Sequence, residues 1–546
     1  MKKKLSLLIT LCFVFLLVSH DAWAAFEFLD GKIRIKGRLE QFMILKVNIP
    51  HEDRWAHKHN IGVNQSIFAI EGLFNLVNND TLLINLQSYF RWYYDSVTDL
   101  DHRYRDSFDR RYLNRRIKTN RWDADDWVNE LYLDAYSGPW NIRLGKQVIA
   151  WSEVEMVRTI DRINPLDMRY STPGIEPFEE IKMGLWMLRL FYNSDLPGNL
   201  IFETIFVPGD HERSRVAVEG TWMMDPPAPG DFRGPGMRGV LDQWWDRCEV
   251  PFSLKNYKFA FRIRGNSEVW LFKTPYVLDW TLSYINTLDD SLAVTDDWDL
   301  ANEYLTSIAV DRVTGEKTFK SERERYFAIL LGKIPGPIPS KRIWHFRRYE
   351  LIGGSLQTYV PPLGSVLRGE ISFELGRNWN KIDPRTAVRN VGNAGPYAPG
   401  ITERNMINYG ITLDRPLFIP WYGNRMQRWG VRPAWDVTLG FFQGYYLGNV
   451  SRTWRVSDGY GDRSQTFFTF MLRGGFRHNE FIPVIRAQYN TRNFGYVSPA
   501  ITYMPGKHLR FETGFLWFWA ANDPEAHREA KGEDLDALFF KIRYEY

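Results

Sequence analysis

The stretch Leu82-Leu83-Ile84-Asn85-Leu86-Gln87-Ser88-Tyr89-Phe90-Arg91-Trp92-Tyr93-Tyr94 alternates in chemistry. Leu82, Ile84, Leu86, Phe90 and Trp92 share one face, and Asn85, Gln87, Tyr89 and Arg91 share the other. That period of two is the signature of a strand with one apolar and one polar side. It recurs at Trp140 to Gly145, Leu367 to Leu375 and Leu509 to Trp519. A soluble sandwich has the same period, so three further features decide the fold.

Tight turns and long polar connections take turns along the chain. Turns stand at Asn78-Asn79-Asp80, Ser137-Gly138-Pro139, Pro361 to Gly364 and Pro505-Gly506-Lys507. Between them run Pro50 to Val63, Asp95 to Asp126, Trp151 to Glu180, Gly209 to Lys255, Asp289 to Arg348 and Arg377 to Arg404. Aromatic residues gather at strand ends, as in Tyr89 to Tyr94 and Trp517-Phe518-Trp519, where amphipathic rings suit a lipid headgroup level. The chain closes on Leu538-Phe539-Phe540-Lys541-Ile542-Arg543-Tyr544-Glu545-Tyr546, an alternating strand with an aromatic last residue, which resembles the signal read by the bacterial barrel-assembly machinery. These features predict an all-β transmembrane barrel of about 18 antiparallel strands, with 16 the alternative. Lipid offers no hydrogen-bond partners, so such a sheet must close. An even count puts the mature amino terminus and Tyr546 on the periplasmic side; surface labelling of a tag at Pro362 or Gly506 on intact cells would contradict this.

The composition agrees. The 546 residues are 16% aromatic and 25% charged, with only 2 cysteines and a formal charge of +4. A mean hydropathy of −0.36 excludes a polytopic helical membrane protein. Near-neutrality gives no sign of a nucleic-acid partner. Lys2 to Lys4, the apolar run Leu5 to Val18 and Ala22-Trp23-Ala24 form an export leader with the cut placed after Ala24. The expected organisation is therefore a signal peptide at 1–24 and an outer-membrane barrel over 25–546, in a Gram-negative envelope. Cleavage removes Cys12 and leaves Cys248 alone, so no disulfide framework forms.

One stretch is distinctive. Leu144-Gly145-Lys146-Gln147-Val148-Ile149-Ala150-Trp151-Ser152-Glu153 is followed by Ile163-Asn164-Pro165-Leu166-Asp167. It resembles the signature of a bacterial outer-membrane β-barrel family known only as a domain of unknown function: Leu-Gly-Arg/Lys-Gln, Trp-Gly-Glu, then Ile-Asn-Pro-x-Asp. Glu176 to Lys182 fits the family's run into the next strand, whereas Ser152 replaces its usual Gly. The resemblance implies a barrel, and the neighbourhood of such genes implies partners among RND-type exporters and periplasmic lipid-handling proteins. It implies no substrate and no catalytic residue.

The residues themselves say more. Gly145 and Gln147 lie on the lumen-facing phase with Arg143. Asn164 and Pro165 suit a helix start, with Asp167 as a further acceptor, so a short helix is expected over Ile163 to Arg169. The segment 151–180 carries Val154, Met156, Val157, Ile160, Ile163, Leu166, Met168 and Ile175, which are costly to leave in water. It is expected to fold into the lumen as a plug, with the Asn164-Pro165 turn fixing the fold-back, Gln147 and Glu153 anchoring its root, Trp151 part of the same motif, and Glu155, Arg158, Asp161 and Arg162 available for ion pairs.

The inward phases place Arg34, Arg38, Arg91, Arg143 and Arg189 on the pore wall. Arg368, Glu370, Arg486, Arg510, Glu512 and Arg543 follow in the second half. A surplus of cations favours anions or carboxylated solutes; the alternative is that the two signs pair and stiffen the wall.

Three loop clusters are weaker. His51, Glu52, Asp53, His57 and His59 could ligate a transition metal but lack a spacing motif. Asp289, Asp290, Asp296, Asp297, Asp299 and Glu303 miss the EF-hand spacing for calcium. Arg103, Arg105, Arg110, Arg111, Arg115, Arg116, Lys118 and Arg121 could grip phosphates of outer-membrane lipid and lipopolysaccharide. No metal site or cofactor is assigned. Neither G-x-S-x-G nor H-E-x-x-H occurs, so no enzyme is expected. The function expected is a channel or transport conduit for hydrophobic or anionic solutes. The alternatives are a non-diffusive envelope-assembly or export partner of an RND-type system and, more remotely, a lipid- or peptide-acting enzyme.

Overall fold

A computed structural model describes residues 26–47, 61–97, 127–154, 157–167, 175–176, 178–210, 214, 252–271, 273–289, 293–294, 344–345, 347–381, 401–418, 434–448, 453–455, 459–460, 463–491, 494–520 and 536–546. The leader, the histidine cluster, the arginine stretch, Cys248, Glu155, Met156, Met168 and the acidic residues from Asp290 to Glu303 lie outside these.

The first half of the wall is β1 (Ile33–Lys46), β2 (Ile61–Asn78), β3 (Leu83–Asp95), β4 (Val128–Ser137), β5 (Trp140–Gln147), β6 (Leu185–Asn193), β7 (Ile201–Val207), β8 (Lys258–Leu271) and β9 (Thr274–Leu288). The second half is β10 (Arg348–Val360), β11 (Ser365–Lys381), β12 (Ile401–Phe418), β13 (Ala434–Tyr446), β14 (Ser464–Arg473), β15 (Phe481–Asn490), β16 (Phe494–Tyr503), β17 (Leu509–Ala520) and β18 (Ala537–Glu545). Each pairs antiparallel with the next, and β18 returns to β1 from Arg38↔Glu545 to Lys46↔Ala537. The barrel is thus closed with 18 strands, as the alternation predicts. Closure leaves no edge with unpaired backbone. No helix among the described residues is long and apolar enough to cross a membrane.

The wall is reversed relative to a soluble core. Leu144, Leu282 and Trp517 point outward and are more than half exposed, while inward Glu203, Ser372 and Glu374 are fully buried. Aromatic pairs mark both rims: Trp140 and Tyr192 with ring centroids 4.6 Å apart near the turns, Trp92 and Tyr94 at 6.0 Å near the long connections. All the long connections except 419–433 leave from one end. At the other, Asn79 Oδ1 accepts from the Thr81 and Leu82 amides and closes the first turn. Connections 491–493 and 419–433 break the strict alternation, the first short among long, the second long among short. The first described residue, Phe26, and Tyr546 both lie at the turn end, where Tyr546 exchanges backbone hydrogen bonds with Gly37 at 2.9 Å.

Four strand starts lie three to five residues from those the alternation suggests, near Gln65, Lys182, Leu278 and Met406: β2 begins at Ile61, β6 at Leu185, β9 at Thr274 and β12 at Ile401. β2 begins early because Gln41 on β1 bonds both Asn64 and Ser66 at 2.6 Å and carries the ladder through a polar stretch. β6 begins late because a short helix (α1, Phe178–Ile181) precedes it.

Candidate functional site

The chain leaves the wall after Gln147 and rejoins it at Leu185. At the exit Gly145 has φ 139°, and a Cβ there would lie 2.2 Å from the Leu131 carbonyl oxygen, so only glycine lets β5 approach β4 this closely. Gln147 is buried, and its Nε2 donates to the Met187 carbonyl at 3.2 Å.

The segment's root is packed. Trp151 is 1% exposed, in an apolar cluster with Ile149, Ile163, Leu185, Met187, Ile205 and Val207. Its Nε1 donates to Glu203 Oε1 at 3.1 Å, and the Arg262 guanidinium lies 4.7 Å over its ring. Glu203 also receives Arg189 at 2.6 Å and Arg262 at 2.8 Å. Beneath the ring, Lys182 Nζ sits 2.5 Å from Asp161 Oδ2 and donates to the Ile149 carbonyl at 3.0 Å, with both side chains of the ion pair 1% exposed. Arg158 donates to the carbonyls of Asp161 and Asn164, both at 2.6 Å.

Asn164 organises the turn differently from the expected helix. Its Oδ1 accepts from the Ile149 amide at 2.8 Å, and its Nδ2 donates to the carbonyls of Gln147 (3.0 Å) and Met183 (2.8 Å). The Pro165 carbonyl accepts from Met183 N, Asp167 N donates to Ile181 O, and Leu166 forms an antiparallel bridge with Lys182. Residues 163–164 therefore form a bend and 166–167 a bridge, and none of 163–167 is helical. The Asn164 amide is spent on three distant backbone groups, and none of its bonds caps a following turn.

From this root the segment reaches other parts of the wall. Glu370 on β11 accepts from Ser152 Oγ at 3.1 Å, from the Val154 amide at 3.2 Å and from the Glu153 amide. Glu153 thus anchors through its backbone. Ser372 Oγ donates to the Thr159 carbonyl at 3.1 Å, and Arg162 lies 3.4 Å from Glu374. On the side of β1, β3 and β18, Glu180 lies 3.3 Å from Arg38 and 3.4 Å from Arg543, while Arg91 donates to the Glu180 main-chain carbonyl. Burial alone would raise the Glu180 carboxyl, but Arg38, Arg543, Lys541 and Arg91 together hold it down at about 2. Val154, Ile160, Ile163, Leu166 and Ile175 are all buried. The described parts of this stretch are thus bonded to β7, to β11 and to β1 and β18.

The remaining wall charges are mostly paired. Arg143 meets Asp134 at 2.9 Å, Arg368 meets Asp414, and Arg543 meets Glu40 at 2.5 Å. Arg34 pairs with Glu27 at 3.2 Å at the exposed turn end. Arg486 and Arg510 lie 3.8 and 3.9 Å from Glu512. Asp134, Glu203, Asp414, Lys182 and Lys258 escaped the sequence reading. Parity alone would have found Asp134 and Glu203, which fall opposite in phase to outward Leu133 and Phe206. Asp289, offered as a calcium ligand, instead faces Arg377 at 3.4 Å. No group of three His, Cys, Asp or Glu among the described residues is placed to hold a metal ion.

A family model described as "Protein of unknown function (DUF1302)" matches residues 85–545. The chain matches none of the curated proteins by sequence. Similar solved structures include Pseudomonas aeruginosa OccK11 (OpdR), at 10% identity over 96% of this chain and 98% of that one, TM-score 0.41. Acinetobacter baumannii OccAB3 is 8% identical over 94% and 98%, TM-score 0.43. Salmonella typhi OmpF, solved with daunomycin, is 8% identical over 95% and 100%, TM-score 0.40. The barrel itself rests on the ladder of strand pairs.

Proposed function

The chain belongs to the DUF1302 family of proteins of unknown function, and we propose that it is an outer-membrane channel or transport conduit whose lumen is narrowed by the segment between β5 and β6. The observation that carries this is the segment's triple attachment, at Glu203, Glu370 and the Arg38–Arg543 pair. A closed wall with apolar side chains outward and ionic ones inward suits lipid outside and water within. The leader and aromatic carboxy terminus suit export and barrel assembly, with the long connections facing the medium. The arginines of the wall favour anionic solutes. Replacing Val154 to Ile175 with a short Gly/Ser linker should leave assembly intact and raise single-channel conductance several-fold. Unchanged conductance in a properly assembled barrel would place the segment outside the pathway and favour a non-diffusive assembly or export partner.

One observation favours hydrophobic cargo as a second reading. An apolar groove of about 500 Å³ opens on the outer wall over Gly145, lined by Leu133, Leu144, Trp186, Leu188, Phe206 and Phe252. Palmitate should then be retained at one per barrel through detergent exchange and lost on Leu188→Trp; no retention by the native barrel would remove this reading.

A further inference from the structure

The wall of β15, β17, β18, β1 and β3 carries a contiguous arc of cations. Arg510 and Arg543 are direct cross-strand partners, Arg543 bonds Glu40 beside Arg38, and Lys541 lies 3.3 Å from the same Glu40. Like charges placed opposite one another on a ladder repel. The carboxylates present do not use all the donors. Glu512 stands beyond hydrogen-bond reach of both Arg486 and Arg510. The buried Arg38 Nε, Arg486 Nη1 and Arg510 Nε make no hydrogen bond among the described residues.

The segment between β5 and β6 brings the Glu180 carboxylate to this arc. It is held less closely than Glu40: one oxygen, Oε1, takes both Arg38 at 3.3 Å and Arg543 at 3.4 Å, and the side chain stays 26% exposed. Guanidinium groups bind carboxylates through two parallel bonds when both oxygens are available. Glu180 therefore occupies the arc without saturating it.

We infer that the arc of Arg38, Arg543, Arg510 and Arg486 is a binding site for carboxylate-bearing solutes, in which Glu180 is a tethered internal competitor. The exchange is like for like. A solute carboxylate takes the guanidinium donors, Glu180 is released toward water, and the net charge of the arc is unchanged when a monocarboxylate enters. A ligand that competes with one attachment of the segment shifts its population toward the undocked state. Occupancy by Glu180 also weakens the apparent affinity of the native barrel for the solute. This deepens the conduit reading above and rests on it for its physiological meaning, but binding can be measured without conductance.

The test is calorimetric titration of succinate into the folded, detergent-solubilised barrel. Glu180→Ala should bind succinate at least tenfold more tightly than the native protein, and Arg510→Ala should weaken binding in either background. Equal affinity of Glu180→Ala and the native barrel would overturn the competitor role. Affinity indifferent to Arg510→Ala would overturn the site, and this variant decides alone if Glu180→Ala yields no folded, heat-modifiable band. Inorganic phosphate binding better than succinate at equal ionic strength would overturn the carboxylate assignment. A barrel that binds succinate as expected but never conducts would sink the channel and leave the site; conductance without succinate binding would do the reverse.

Discussion

Two of the three footings of the segment between β5 and β6 are unlike. At its root, Trp151, Ile149 and Ile163 are packed dry against β6 to β8, and even the ionic contact, Lys182 with Asp161, is sealed from solvent. At its far end, Glu180 rests on Arg38 and Arg543 at the edge of water. Packing is specific and slow to give way, whereas a partly hydrated ion pair is weak and exchangeable. The difference implies a segment hinged at Trp151 and latched at Glu180. Release should begin at the ionic end and spread toward the apolar one only when the root itself is damaged.

The sharpest break is Trp151→Ala. It removes a fully buried ring and the indole N–H that donates to Glu203 alongside Arg189 and Arg262. The segment's docking should weaken by about 3–5 kcal/mol, read as rapid proteolysis within 151–167 of an otherwise intact barrel. Protection equal to the native protein would show that the root is not the hinge. Next is Lys182→Met, which leaves the Asp161 carboxylate buried without its ammonium. Breaking such a pair costs about 3–5 kcal/mol, but removing the second charge returns part of it. Adding Asp161→Asn should therefore restore protection in part, and a double-mutant cycle with no coupling would refute the pair's role.

Glu180→Gln should have the smallest effect, about 1 kcal/mol at neutral pH because the site is partly hydrated. Its pH dependence is the more telling readout. A carboxyl held at about 2 when docked, against an ordinary 4.5 when released, contributes docking stability that is complete above about 4.5. That contribution is lost as the pH falls toward about 2. Native conductance should stay constant down to about pH 4.5 and then rise on further acidification, while Glu180→Gln should be flat over this window. A native barrel flat from pH 5 to 2 would dissolve the latch.

The barrel was legible because lipid imposes one rule on every strand. Period-2 alternation, rim aromatics and the asymmetry of connections are local features, and each survives in the one-dimensional chain. The strand count followed from them. Burial of Val154, Ile160, Ile163, Leu166 and Ile175 was also readable, since apolar side chains in a loop need somewhere to go.

Pairing was not legible, because it joins residues hundreds of positions apart. Nothing near Glu370 in the chain announces that it receives the Ser152 hydroxyl, and nothing near Glu180 points to Arg543. The expected helix after Asn164 failed for the same reason. Asn-Pro is a good local start, but three long-range hydrogen bonds outweigh one cap. The alternation, the turns and the parity of each charged side chain are properties of the sequence alone, because they depend on neighbours two residues away. Which carboxylate meets which arginine, and that one of them arrives on the segment between β5 and β6, was decided only when the wall closed and brought β1, β11 and β18 around the same segment.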